Sequence, residues 1–410
     1  MDGRIITGLD IGTTKICAVI VKEDNFKNLN VVGVGSSKSD GLRKGVVVNI
    51  DKTVQSITQA MHEAQQMAGV EVESVFVGIA GDHIRGMNSK GMVGVASDDH
   101  EISQADIDRA INAAKALALP IDREIIHVIP QEFIVDNQEG IPDPVGMSGV
   151  RLEVEVHIVT AAVTSAQNII RSVQRAGFEV EEMVLEPLAS SLAVLDDDER
   201  KLGVSLVDLG GGTTDIALFF DGHIRHTSVV ALGGQQITND IAIGLRTPPD
   251  QAEKIKLNWG MVNSENVNPN ETLSVPGVGG RPARTIYRNV LVDIITPRVE
   301  EILTLVYQKI QDSDMIDLMA AGAVITGGGA LLSRITEFAE NLWGIPVKLG
   351  VPKYLGGLTD AVRSPIYSTA VGLCLYGSKY HDGESYFSRR NGNLWEEVLN
   401  GFKRFFRRFF

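Results

Sequence analysis

Cysteine is almost missing from this chain: Cys17 and Cys374 are the only two in 410 residues, and both lie inside apolar runs. Thiols so placed suit buried side chains in a reducing compartment better than a disulfide, and no Cys/His spacing of the metal-binding kind accompanies them. Long hydrophobic runs are missing too, since none approaches the roughly 20 apolar residues that a membrane span needs. The first strand-like run starts within a few residues of Met1, which leaves no room for a signal peptide. Positive charge is scarce. Against 52 Asp and Glu stand 38 Lys and Arg, a net charge of −14 that argues against general nucleic-acid binding. One end reverses the balance: from Arg389 to Phe410 six Lys/Arg face only Glu396 and Glu397. The remaining composition, 44% hydrophobic and 22% charged, is that of a globular chain long enough for two domains.

Two copies of one short pattern stand out, Asp10-Ile-Gly-Thr-Thr-Lys15 and Asp208-Leu-Gly-Gly-Gly-Thr-Thr-Asp215. Each sits between apolar, β-branched runs, so each reads as strand, glycine turn, strand. Glycine lets the backbone approach a ligand closely, and successive N–H groups in such a turn form a nest for anionic oxygen. Two tips facing each other across a cleft would grip one polyphosphate, with Asp10, Gly12, Thr13, Thr14 and Lys15 on one wall and Gly210, Gly211, Gly212, Thr213 and Thr214 on the other. Magnesium accompanying a triphosphate keeps several waters and takes one or two carboxylates, for which Asp10 and Asp208 are the first candidates and Asp215 the third. Each of these acids could instead cap its turn.

A third element, Ala321-Gly-Ala-Val-Ile-Thr-Gly327-Gly328-Gly329-Ala330, reads as a strand ending in three glycines before a helical stretch from Leu331 to Leu342. A helix N-terminus there would meet phosphate or sugar. Duplicated hairpins followed by a late strand and triple-glycine turn resemble the ATPase superfamily of actin, sugar kinases and heat-shock chaperones. That resemblance implies ATP as the ligand. It also places Glu253 and Lys256, in Ala252-Glu-Lys-Ile-Lys256, against the adenosine, where they could equally be helix-surface charges. It makes Glu186, in Glu186-Pro187, the candidate for positioning metal and attacking water, although Glu followed by Pro is also an ordinary helix start. The chaperones' catalytic lysine comes from an early inserted subdomain, and the stretch from Val21 to Val75 is too short to hold one. Slow hydrolysis or none is therefore expected.

Along the chain, helices are expected over Thr53–Met67, Ser103–Leu117, Ser165–Ala176, Leu188–Leu195, Gln235–Leu245, Asp250–Trp259, Thr285–Gln311 and Pro365–Tyr376, with a loop from Asn263 to Pro282. From about His83 to Val159 the texture changes, as in an inserted subdomain. A polar linker is expected from Gly377 to Asn393. On a helical wheel of about 100° per residue, Leu394, Trp395, Val398, Leu399, Phe402, Phe405, Phe406, Phe409 and Phe410 fall on one side, with Lys403, Arg404, Arg407 and Arg408 on the other. Seventeen residues rise only about 25 Å, so such a helix lies in a membrane interface rather than crossing it, and its cations favour anionic lipid. Docking on the protein's own core or on a partner helix is the alternative.

The core, the insert and the tail together resemble the FtsA family of bacterial cell-division proteins. Local strings agree: His127-Val-Ile-Pro-Gln-Glu-Phe133, Asn137-Gln-Glu-Gly-Ile141, Pro144-Val-Gly146, Gly279-Gly-Arg-Pro282 and Tyr367-Ser-Thr-Ala-Val-Gly-Leu373. The resemblance implies an actin-like (ribonuclease H-like) α/β fold of two domains. It divides the chain into 1A (1–82 and 160–200), an inserted 1C (83–159), 2A (201–232 and 312–376), 2B (233–311), a linker (377–393) and an amphipathic helix (394–410). It further implies ATP and Mg2+ as cofactors and self-assembly into filaments on the cytoplasmic face of the membrane. The implied partners are the FtsZ C-terminal peptide near Arg298, later division proteins through 1C, and anionic lipids. The competing readings are a phosphotransferase of the sugar-kinase type, a chaperone ATPase and a pilus-assembly relative. The sequence offers no evident sugar-binding segment for the first and no peptide-binding β domain after the core for the second, and pilus-assembly proteins lack the strong tail.

Overall fold

The computed structural model describes residues 3–263 and 268–381, where two mixed sheets follow one plan. In the first, Arg4–Ile11, Lys15–Glu23 and Leu29–Lys38 form an antiparallel meander, and Ser74–Ile79 and Glu179–Leu185 add in parallel on the far side of Arg4–Ile11. In the second, Val204–Leu209, Thr214–Phe220 and His223–Val230 form the meander, and Ala323–Thr326 and Val347–Leu349 add in parallel beside Val204–Leu209.

Parallel additions need crossover connections, and the sequence supplies helices for them. Helix Ile50–Ala68 begins where the Asn49 side chain accepts from Lys52 N–H at 3.0 Å and ends at Gly69 in the left-handed region. Its buried Ile57, Ala60, Met61 and Ala64 recur at helical spacing. They lie on the strand Leu29–Lys38, whose Gly35 admits the helix: a Cβ there would sit 2.0 Å from Ala60 O.

The final helix, Ser368–His381, differs from expectation twice. It continues through Gly377, where a linker was expected, because a Cβ at Gly377 would fall 2.5 Å from the Phe76 ring; this glycine allows close packing rather than ending a helix. It also lies on the first sheet and not with the second half. Cys374 Sγ reaches Val19 O at 3.3 Å, Tyr376 donates to Glu182 at 2.7 Å, and Ser378 donates to Glu23 at 2.6 Å. Both cysteines are free and buried.

Between Ser74–Ile79 and Glu179–Leu185 the chain builds a separate antiparallel sheet in the order Arg85–Gly94, Arg151–Ala162, Arg123–Val135, Gln138–Ile141. Helix Gln104–Lys115 covers it, and Ile107, Ile111, Phe133, Leu152, Val154 and Val156 form its own core.

Beyond the second meander come helices Gly234–Gly244, Pro249–Trp259 and Arg288–Gln311. The expected loop holds a strand, Thr272–Val275, paired with Arg284–Tyr287, so the long helix starts three residues later than expected. An acidic run, Asp196 to Glu199, opens a short helix, Asp197–Leu202, through a capping box between Asp196 and Glu199. The triple glycine runs into a 3-10 turn, Gly328–Leu331, and the helix begins only at Ile335 because Arg334 adopts a φ of 66°. The expected amphipathic helix lies outside the described residues.

Candidate functional site

Each glycine pattern is the turn of an antiparallel hairpin. Gly12 N–H donates to Lys15 O at 3.1 Å in the first tip, and Gly210 N–H donates to Thr213 O at 3.0 Å in the second. The tips face each other, as expected, but they touch rather than bound an open cleft. A Cβ on Gly211 would lie 2.3 Å from Thr14 Oγ1, and one on Gly212 would lie 2.5 Å from Thr13 Oγ1. Any guest between them requires the turns to part. Thr13 Oγ1 also accepts from Gly45 N–H at 3.0 Å.

Four carboxylates converge behind the tips. Burial pushes the Asp10 carboxyl up to about 7, with Lys15 pulling down and Asp208 pushing up. Asp215 is likewise pushed up to about 7 by burial and by Asp208, against a hydrogen bond from the Thr213 hydroxyl at 3.0 Å. Glu186 is held well above the usual carboxylate range by burial and then by Asp10, Asp215 and Asp208. Burial raises Asp208 too, opposed by hydrogen bonds from Ser190 Oγ at 2.8 Å and Thr369 Oγ1 at 3.4 Å. The four acids therefore share one field.

Glu186 is the first residue of helix Glu186–Val194, with Pro187 after it, and its side chain lies over Gly78, where a Cβ would come within 2.9 Å of Glu186 Cγ. Gly327, at φ 84°, fits against Asp208: a Cβ there would sit 2.3 Å from Oδ1. Gly328, Gly329 and Ala330 form the 3-10 turn beside it, so the helix N-terminus expected at this point is displaced. Lys15 Nζ donates to Ile366 O at 3.2 Å and lies 4.3 Å from the Tyr367 ring centre, beside the acids rather than on them. Lys256 Nζ reaches Gly234 O at 3.1 Å, Thr238 Oγ1 at 2.8 Å and Glu253 at 2.8 Å, which puts both residues next to the helix that docks on the second tip. Gly234 N–H donates to Gly210 O at 2.9 Å in that docking.

Arg298, by contrast, stands apart from the tips and is not spare positive charge. Its Nε donates to Asp240 at 2.6 Å, and its other face pairs with Glu301.

The acids fit a hydrated divalent cation better than a directly ligated one. Among the described residues no three Asp, Glu, His or Cys side chains converge closely enough to hold a metal between them, yet Asp215 Oδ1 is buried with no hydrogen-bond partner. Ser190 and Thr369 were not anticipated. Thr369 lies in the Tyr367–Leu373 string, which carried the signal, whereas nothing local marks Ser190. An open groove of about 810 Å³ beside Leu29, Leu192, Tyr354 and Leu375 shares no residue with the tips.

Comparison with known proteins gives a consistent result. A family model described as "Cell division protein FtsA" matches residues 205–372, and one described as "SHS2 domain inserted in FTSA" matches 81–160. The chain is 50% identical over 384 residues to the cell division protein FtsA of Pseudomonas aeruginosa, covering 93% of this chain and 92% of that one. To its Escherichia coli K12 counterpart it is 38% identical over 414 residues, covering 98% of each. Among solved structures it resembles a PilM-PilN type IV pilus biogenesis complex with TM-score 0.66 at 16% identity, covering 91% of this chain and 98% of that one. It resembles Spiroplasma citri MreB5 bound to ADP with TM-score 0.54 at 14% identity, covering 93% and 99%. The fold is thus the actin-like two-domain α/β fold with an inserted SHS2 domain.

Proposed function

This chain belongs to the FtsA family of cell-division proteins, and from that premise we propose that it binds Mg-ATP between its two glycine tips and assembles into filaments that hold FtsZ polymers on the cytoplasmic face of the membrane. The observation that carries the nucleotide reading is the meeting of Gly12–Thr14 with Gly210–Thr213 over four buried carboxylates, Asp10, Glu186, Asp208 and Asp215. The structural neighbour MreB5 of Spiroplasma citri, bound to ADP or to AMPPNP, supports it.

The backbone N–H groups of the tips and the Thr13, Thr14, Thr213 and Thr214 hydroxyls bind and orient the phosphates. Lys15 turns from Ile366 O to the phosphate charge. Asp10 and Asp208 hold magnesium through water, with Asp215 beside them, and bound magnesium supplies charge neutralisation of the phosphates. Glu186 orients water for slow hydrolysis. Gly327, Gly328, Gly329 and Ala330, with Glu253 and Lys256, line the nucleoside side.

In this reading residues 83–159 act as subdomain 1C, which receives later division proteins, and 233–311 act as 2B. An acidic FtsZ peptide competes with Asp240 and Glu301 for Arg298. Residues 394–410 anchor the assembly on anionic lipid, and several copies together give firm attachment through effective concentration.

Full-length protein is mixed with anionic liposomes with and without Mg-ATP, sedimented, and viewed by electron microscopy on an anionic lipid monolayer. ATP-dependent filaments on lipid are expected. Replacing Trp395 and Phe402 by Glu should leave the protein in the supernatant, and unchanged co-sedimentation would refute the anchor.

A further inference from the structure

The string His127-Val-Ile-Pro-Gln-Glu-Phe133 runs along one strand of the inserted sheet, and its polar side chains reach both halves of the molecule. Toward the first half, buried His127 accepts from Leu185 N–H through Nε2 at 3.0 Å. Leu185 is the residue immediately before Glu186. Toward the second half, the Gln131 amide, 3% exposed, donates to Ile224 O at 2.9 Å and Arg225 O at 3.2 Å. Arg225 is the extra residue of a bulge, since Leu218 faces His226 while Phe219 faces Ile224. Two successive carbonyls on this edge strand thereby come within reach of one amide.

Neighbouring strands of the insert add to the same contact. Asn88 Nδ2 donates to Arg225 O at 3.3 Å, and its oxygen accepts from His157 Nδ1 at 2.6 Å, so His157 Nε2 is left to accept from Thr227 Oγ1 at 2.9 Å. Glycine at position 86 is what lets the strands come so near: a Cβ there would lie 2.2 Å from Thr227 Oγ1. At its other end the strand His223–Val230 leads to the second tip, where Thr214 Oγ1 donates to Leu232 O at 2.9 Å.

We propose that His127, Gln131 and the Asn88–His157–Thr227 chain form a bracket that couples the attitude of the inserted domain to the parting of the two tips. Because the tips touch in this arrangement, admitting a guest moves the edge strand away from the first half and strains the bracket. By reciprocity, a partner that repositions the insert changes the affinity of the tips for their ligand. This rests on the tips being the nucleotide site.

The test is hydrogen exchange on the full-length protein with Mg-ADP as the added probe, followed separately at residues 8–14 and 208–214 and at residues 85–94 and 127–135. Protection at the tips together with an exchange change of about fivefold or more in the insert is expected, within the range of ordinary coupling. In Gln131→Met, which keeps shape and loses the donor, the tip response stays and the insert response disappears. Thr227→Val gives a second, isosteric cut in the same contact should Gln131→Met fold poorly. Tip protection without an insert response, or an insert response unchanged in both variants, overturns the bracket. Absence of protection at the tips overturns the nucleotide reading itself, and the bracket with it.

Discussion

The two tips share one strand plan, yet their acids keep different company. Asp10 has a cation from its own hairpin, Lys15, within electrostatic reach. Asp208 has no such neighbour in its hairpin. It is held instead by Ser190 and Thr369, from helices Glu186–Val194 and Ser368–His381. The second of these helices lies on the first sheet and the first packs between the two sheets, so the orientation of the second tip's acid is set from outside its own hairpin and partly by the opposite half of the molecule. The duplicated design is thus asymmetric where it matters: one acid is locally balanced, and the other is correct only while the halves are together.

The largest test of that asymmetry lies at Gly327. It combines a φ of 84° with a Cβ position 2.3 Å from Asp208 Oδ1 and 2.7 Å from Leu209 O, so Gly327→Ala should lose about 2–4 kcal/mol, read as a lower urea midpoint. Gly12→Ala, which needs no left-handed backbone, should lose about half as much. Equal losses would mean the surroundings of Asp208 and Asp10 are constrained alike. Next comes Ser190→Ala, expected to weaken Mg-ATP binding by about tenfold in a titration while ATP without magnesium binds almost unchanged, as when a partner that orients a metal-holding acid is removed.

Titration separates the acids further. Asp10 and Asp215 are raised to about 7 in the folded chain from an ordinary value of 3.8, so between roughly pH 4 and 7 the folded state binds more protons than the unfolded one. Their contribution to stability is present below about pH 4 and is lost as pH rises through 7. A cation favours their charged forms, so Mg-ATP binding at pH 6 should release protons. Calorimetry in two buffers of different ionisation enthalpy measures this, and equal heats in both would show that these acids do not face the ligand.

Much of this was legible in the sequence because the signal was local. A strand, a glycine turn and a second strand lie within 20 residues of one another, Arg4 to Glu23 and Val204 to Phe220, and repetition made the pair conspicuous. The insert was legible by texture for the same reason. What was not legible depends on distant packing. Ser190 is an ordinary helix serine until Asp208 arrives 18 residues later in the chain. Gly377 reads as a helix stop until Phe76 explains it. The four-residue strand Thr272–Val275 is too short to outvote the Asn, Gly and Pro around it, and only pairing with Arg284–Tyr287 makes it a strand.

The smallest expected effect probes the locally balanced side. Lys15 Nζ sits 4.3 Å from the Tyr367 ring centre and 3.2 Å from Ile366 O, a resting place beside the acids. Tyr367→Leu removes the ring face and leaves the carbonyl, so the stability of the nucleotide-free protein should fall by only about 0.5–1 kcal/mol. In the proposed site, however, ATP draws the lysine away from that place. A weaker resting contact makes the departure easier, and the same variant should bind ATP slightly more tightly, by about twofold to fivefold if the contact's whole energy is recovered. Tighter binding with lower stability is the signature of a parked cation; weaker binding with lower stability would show that the ring orders the first tip for its ligand instead.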